Sequence, residues 1–113
     1  MTTIVIKDGG TYRKLNLSAI FYIQSHPQKP HFVLIVTGKG DFELRASLAE
    51  LKETYPDSLL HCNRQTLVNL AKIKGINRQA KSILFDKKGL PDLVCSRRHF
   101  ASLLRRWSKE GGK

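Results

Sequence analysis

Acidic residues are scarce in this chain: nine Asp and Glu stand against twenty Lys and Arg in 113 residues. The carboxylates are also scattered, so a two-metal nuclease centre is hard to build from them. Cysteine is scarcer still. Cys62 and Cys95 do not make a disulfide framework, and they read as buried structural side chains in a reduced, cytoplasmic setting. No apolar run approaches the roughly 18 residues of a membrane helix. The start, Met1-Thr2-Thr3-Ile4, has neither the charged nor the apolar part of a secretory signal. The four histidines, His26, His31, His61 and His99, show no HExxH or comparable ligand spacing, and there is no GxSxG elbow or Walker loop. Gly9-Gly10 and the Gly38/Gly40 pair fall where hairpin turns need them. No catalytic residue, metal or cofactor is expected, and an enzyme is the least supported class. There is also no low-complexity segment and no internal repeat.

What the chain does have is positive charge, and it is unevenly placed. Residues 1–60 carry seven Lys/Arg against six Asp/Glu, whereas residues 61–113 carry thirteen against three, so ten of the eleven net charges lie in the second half. A nearly neutral half joined to a cationic one suggests a scaffold bearing a docking surface for a polyanion, of which nucleic acid is the commonest. The length fits one domain with one core, placed at 1–108, and a flexible tail at 109–113.

Hairpin patterns dominate the first half. Thr2–Lys7 and Tyr12–Leu17 flank Asp8-Gly9-Gly10, and Phe32–Thr37 and Asp41–Ala46 flank Gly38-Lys39-Gly40. Ile20–Gln24 is a further apolar run, separated from Phe32 by a loop bracketed by Pro27 and Pro30. Ser47 and Glu50 form a capping box for a short helix with Leu48, Leu51 and Tyr55 on one stripe, stopped by Pro56. Gln65–Leu70 fits either a helical turn or a strand. Ser82–Asp86 and Leu93–Cys95 read as strands. Phe100, Leu103, Leu104 and Trp107 recur at i, i+3, i+4 and i+7, which predicts an amphipathic C-terminal helix capped by Ser96. The expected fold is mostly β, small antiparallel sheets with two or three short helices.

Several cations are candidates for contact with DNA. Arg97 and Arg98 fall in the first turn of the last helix, where an anion meets free backbone N–H groups and two guanidinium forks. Arginine also reads guanine bidentately. Arg64 follows His61-Cys62-Asn63 at the start of another short element. Asn63 is the residue type that pairs with adenine, and equally a common turn former. Lys29 and His31 lie in the proline-bracketed loop. Lys72, Lys74 and Arg78 belong to a basic run whose apolar members, Ile73 and Ile76, look like core. Such cations suit backbone phosphates, which position a protein without reading sequence. An RNA-binding β-domain is the alternative. It calls for aromatics exposed on a sheet face, yet Phe21, Tyr22, Phe32, Phe85, Phe100 and Trp107 fall in apolar runs.

The segment Leu60-His61-Cys62-Asn63-Arg64-Gln65-Thr66-Leu67-Val68-Asn69-Leu70, with Ile73 and Ile76 after it, resembles the pattern of LytTR DNA-binding domains, the output modules of many bacterial response regulators. Ala19-Ile20-Phe21-Tyr22-Ile23 is similar to that family's third strand, and the element order over residues 2–107 agrees as well. The resemblance implies an elongated β fold whose loops enter successive major grooves of a direct-repeat promoter site in duplex DNA, with a second copy on the adjacent half-site. It places Lys29 or His31, then Arg64, then Arg98 with Arg97 beside it, at contact positions. Gln24 stands where the family often has Glu, and the proline-bracketed loop is a departure. Either a receiver domain outside these residues or a stand-alone regulator agrees with the pattern.

Overall fold

The computed structural model describes residues 2–111, without the side chains of 110 and 111. Ten strands and two α-helices follow in the order β1 (Thr3–Asp8), β2 (Thr11–Asn16), β3 (Ile20–Ser25), β4 (Phe32–Thr37), β5 (Gly40–Arg45), α1 (Leu48–Thr54), β6 (Leu59–Asn63), β7 (Thr66–Asn69), β8 (Ile73–Asn77), β9 (Ser82–Phe85), β10 (Leu93–Val94) and α2 (Arg97–Gly111). Short 3-10 turns, Leu17–Ala19 and Leu70–Lys72, lead into β3 and β8. The helix α2 runs past the expected domain boundary at 108 to Gly111, and 112–113 of the expected tail lie outside the described residues. No helix is long and apolar enough to cross a membrane among the described residues.

All three sheets are antiparallel. β1 and β2 form a hairpin, β10-β9-β8 a three-stranded sheet, and β5-β4-β3-β7-β6 a five-stranded one. The five-stranded sheet is the middle layer of the molecule, apolar on both faces. On one face Ile20, Ile23, Val33, Ile35, Leu59 and Leu67 pack with Ile4 and Ile6 of β1 and with Leu48 and Leu51 of α1. On the other, Phe21, Tyr22, Val36, Leu60 and Val68 pack with Ile73, Ile83, Phe100 and Leu103. The single core expected from the length is therefore split into two by the sheet. A register shift between Ile20 and Tyr22 puts the neighbours Phe21 and Tyr22 into the same cluster, which strict alternation does not allow.

Local chemistry sets the element ends. Ser47 Oγ accepts from Glu50 N at 3.1 Å while the Glu50 carboxylate accepts from Ser47 N at 3.2 Å, the reciprocal box that starts α1. Tyr55, at its C-terminal end, donates its hydroxyl to the Thr3 carbonyl at 3.0 Å and so ties α1 to β1. The ambiguous 65–70 segment resolves as a strand because β7 is flanked by β3 and β6, and all four of its residues are buried. β8 was not anticipated: its cations obscure a strand whose inward positions are Ile73 and Ile76.

α2 covers the second cluster with Phe100 and Leu103, flanked by the half-buried Leu104 and Trp107. The Trp107 indole N–H donates to the Ile73 carbonyl at 3.3 Å. Because that ring is only half-buried, Trp107→Ala is expected to cost about 2 kcal/mol, less than a fully enclosed aromatic, and to lower the melting temperature by roughly 10 °C. Thermal unfolding followed by circular dichroism checks this, and an unchanged midpoint rules out that packing.

The layering turns the charge asymmetry of the sequence into one in space. β8–β10 and α2 come from the cationic half and lie on one face of the central sheet, while the nearly neutral β1–β2 hairpin and α1 lie on the other. The described residues extend 43 × 29 × 29 Å, so the domain is elongated.

Candidate nucleic-acid interface

Three connections bear Lys29, His31, Arg64, Arg97 and Arg98 of the candidates singled out from the sequence. The first is the β3–β4 loop, organised by His26. Its Nδ1 accepts from the backbone N–H of Gln28 at 3.1 Å and of Lys29 at 3.0 Å, so Nε2 carries the proton and donates to Glu43 on β5 at 2.7 Å. Lys29 Nζ reaches the other Glu43 oxygen at 2.6 Å and sits 5.4 Å from the Phe32 ring centroid. Lys29, then His26, hold the Glu43 carboxyl below its usual range. His31 is exposed at the end of the loop, at a φ of 67°, and its carbonyl accepts from Ala46 N at 3.1 Å. Two prolines, an imidazole acceptor and a carboxylate thus fix this loop, with His31 exposed and Lys29 partly neutralised.

The second connection is the β6–β7 turn. Asn63 Oδ1 accepts from Gln65 N at 2.9 Å, and its amide donates to the Val94 carbonyl at 3.4 Å. The structure therefore gives Asn63 a turn-forming role that occupies both ends of its side chain. Arg64 is exposed and has no carboxylate partner among the described residues. It lies in the turn between two strands rather than at a helix start, so no helix dipole assists it. Arg64 lines a cavity of about 330 Å³ together with Lys29, Pro30 and His31, so the first two connections share one recess.

The third is the start of α2. Arg97 and Arg98 are exposed and likewise have no carboxylate partner among the described residues. The Ser96 carbonyl accepts from His99 N and Phe100 N at 3.1 and 3.0 Å, while Ser96 Oγ pairs with His99 Nδ1 at 2.8 Å. The expected cap is therefore built from the Ser96 main chain, its hydroxyl going to the His99 ring. Arg98 lines a cavity of about 430 Å³ with Lys52, His61, His99, Ser102 and Arg106, a lining that includes no acidic side chain. Burial, then His61 and Arg98, hold His99 below its ordinary pKa, so the cationic character of the cavity comes from the Lys and Arg side chains.

Backbone bonds join these connections in a line. Ser25 N donates to the Gln65 carbonyl at 2.9 Å, which links the end of β3 to the Arg64 turn. Ser96 N donates to the Cys62 carbonyl at 3.0 Å, which links that turn to the start of α2. The β8–β9 turn bearing the exposed Arg78 joins the far side, since Cys95 N donates to the Lys81 carbonyl at 2.7 Å. Lys72 and Lys74 stand apart. Ile73 between them meets Trp107, ten residues along α2 from Arg97, or about 15 Å of helix. Lys72 lies 5.1 Å from the Phe21 ring centroid and Lys74 is 3.9 Å from Asp86 on the neighbouring segment.

Sequence reasoning missed His26, Glu43 and the basic neighbours of Arg98, namely Lys52, His61 and Arg106. The first two lie 17 residues apart, and nothing local marks them as partners. The buried Phe21 and Tyr22 both pack against the half-buried Phe85, and Tyr12 is the one aromatic among the exposed large apolar side chains described.

Comparison with known proteins bears on this arrangement. The LytTr DNA-binding domain family matches residues 10–108. Among solved structures, a LytTr DNA-binding domain from Bacillus cereus is similar in fold, with a TM-score of 0.70 and 20% identity over 95% of this chain and 96% of that one. No curated protein matches the sequence.

Proposed function

The chain belongs to the LytTR family of DNA-binding domains, and on that premise we propose that it binds double-stranded DNA sequence-specifically as the output domain of a bacterial transcription regulator. The carrying observation is the hydrogen-bonded line through Ser25–Gln65 and Cys62–Ser96, which sets the His31, Arg64 and Arg98 connections side by side. In this reading Arg64 and Arg98 reach base edges, while Arg97, Arg78 and the exposed His31 meet phosphates or bases beside them. Lys29 contributes after exchanging its Glu43 partner for a phosphate. Lys72 and Lys74 act at the margin, on flanking backbone. The 43 Å length exceeds one helical turn of B-DNA, about 34 Å, so one domain has the reach for two successive major grooves. Two copies then occupy the half-sites of a direct repeat.

Selection of bound sequences from a random duplex pool tests this reading, and recovery of a repeated motif is the expected outcome. Enrichment of no motif, or preferential capture of single-stranded RNA in competition, overturns it. On the selected duplex, Arg64→Ala and Arg98→Ala are each expected to cost about 1–3 kcal/mol, tenfold or more in affinity, and to relax preference at one base position. Equal weakening on every duplex instead makes that residue a phosphate contact. Neither substitution should move the melting temperature, because both side chains are exposed.

A further inference from the structure

Cys62 and Cys95, the two cysteines of the chain, bring their sulfurs to 3.0 Å of each other in the interior as free thiols. Their places in the fold make the contact consequential. Cys62 is the irregular residue of the β6–β7 ladder, between the pairs His61↔Leu67 and Asn63↔Thr66, and Arg64 follows two positions later. Cys95 lies between β10 and α2, two positions before Arg97 and three before Arg98. The two thiols therefore sit directly beneath the two arginine turns, at the point where Ser96 N and the Cys62 carbonyl join them.

We propose that Cys62 and Cys95 are a reversible dithiol–disulfide pair, oxidised by a peroxide, whose cross-link shifts the Arg64 turn against the Arg97–Arg98 turn and weakens DNA binding. The effect on DNA rests on the function proposed above, whereas the formation of the cross-link does not. Cys95 begins the chemistry. Of the two residues it is the one with any exposure, 4% against none for Cys62, so a peroxide meets it first, while the hydrogen bond shared by the sulfurs, then burial, pushes the Cys62 thiol up. The Cys95 thiolate attacks hydrogen peroxide, the O–O bond breaks, and a sulfenic acid forms with hydroxide, which takes up a proton to become water. The Cys62 sulfur then attacks the sulfenic sulfur, a second water leaves, and the S–S bond closes. In total two thiols and one peroxide give one disulfide and two waters. Two electrons pass from sulfur to oxygen, and a small dithiol reverses the change.

The geometry explains the consequence for binding. A disulfide holds its sulfurs about 2.05 Å apart, so they must approach by about 1 Å. Cys62 is fully buried and Cys95 is 4% exposed, and close-packed surroundings pass such a shift to the attached backbone rather than absorb it. Contacts of the bidentate arginine type tolerate displacements of only about 0.5 Å.

The test uses the full chain, reduced and then treated with hydrogen peroxide. The expected results are a loss of about 2 Da, a Cys62–Cys95 linked peptide without reduction, and affinity for the selected duplex at least tenfold weaker by fluorescence anisotropy, with mass and affinity both restored by dithiothreitol. Cys62→Ala/Cys95→Ala should bind like the reduced protein with or without peroxide. If that variant does not fold, Cys95→Ser serves in its place. No linked peptide, unchanged affinity of the linked form, or equal loss in the cysteine-free variant each overturns the proposal. Failure of the reduced protein to bind any duplex instead overturns the DNA-binding reading and takes the switch with it, while the linked peptide still forms.

Discussion

Raising monovalent salt from about 50 to about 200 mM is expected to weaken binding to a selected duplex about a thousandfold, or roughly 4 kcal/mol. The cations of the interface set this figure. Arg64, Arg97 and Arg98 have no carboxylate partner among the described residues, and Lys52 lies beside Arg98 in a recess lined by no acidic side chain. With Arg64 and Arg98 turned to bases in the proposed reading, Arg97, Arg78, Lys29, Lys52, Lys72 and Lys74 can neutralise about six phosphates, and the released counterions give a log–log slope near −5. Titrations at four or five salt concentrations measure it. Arg78→Ala is expected to reduce the slope by about one without changing which bases are preferred. An affinity flat over this range contradicts the interface altogether.

Asn69→Ala is expected to destabilise the fold by about 3–5 kcal/mol, a drop in melting temperature of 15 °C or more. Asn69 is 2% exposed, and its amide donates to the carbonyls of Leu17 at 2.9 Å and Ile20 at 2.8 Å, while its oxygen accepts from Ala71 N at 3.2 Å. One side chain therefore satisfies both 3-10 turns and fastens the end of β7 to the start of β3. Alanine takes the side-chain partner from the Leu17 and Ile20 carbonyls and from the Ala71 N–H; the Leu17 carbonyl keeps the Ile20 N–H, and each polar group left unpaired costs about 1–3 kcal/mol. Urea unfolding reads the loss directly. A variant within a few degrees of the parent shows that water or backbone relaxation replaces those bonds. The contrast with Arg98→Ala is diagnostic, since one substitution changes stability and the other changes affinity.

How far the sequence can be read depends on how local the determining chemistry is. The hairpins at Gly9-Gly10 and Gly38–Gly40, the Ser47–Glu50 box and the α2 stripe depend on neighbours within a few residues, and each stands where the sequence places it. β7 was ambiguous because it is buried on both faces, so Leu67 and Val68 show no period. β8 was hidden because Lys72 and Lys74 flank Ile73 and read as a basic run. The exposed arginines could be nominated from charge and element ends. Their alignment could not, because it depends on main-chain bonds such as Ser25–Gln65 that no residue type encodes. The same limit applies to Asn63, whose partner Val94 is 31 residues away.

The layered arrangement has a consequence for how the protein finds its target. With the surplus cations gathered behind one face of the central sheet and the opposite face almost balanced, the molecule has a permanent electric moment. In the field of a duplex that moment exerts a torque, so on the proposed reading the domain is expected to turn its cationic face toward the phosphates before it touches them. Fewer encounters are then wasted on the wrong face, and the association rate constant, more than residence time, carries the early part of the salt sensitivity.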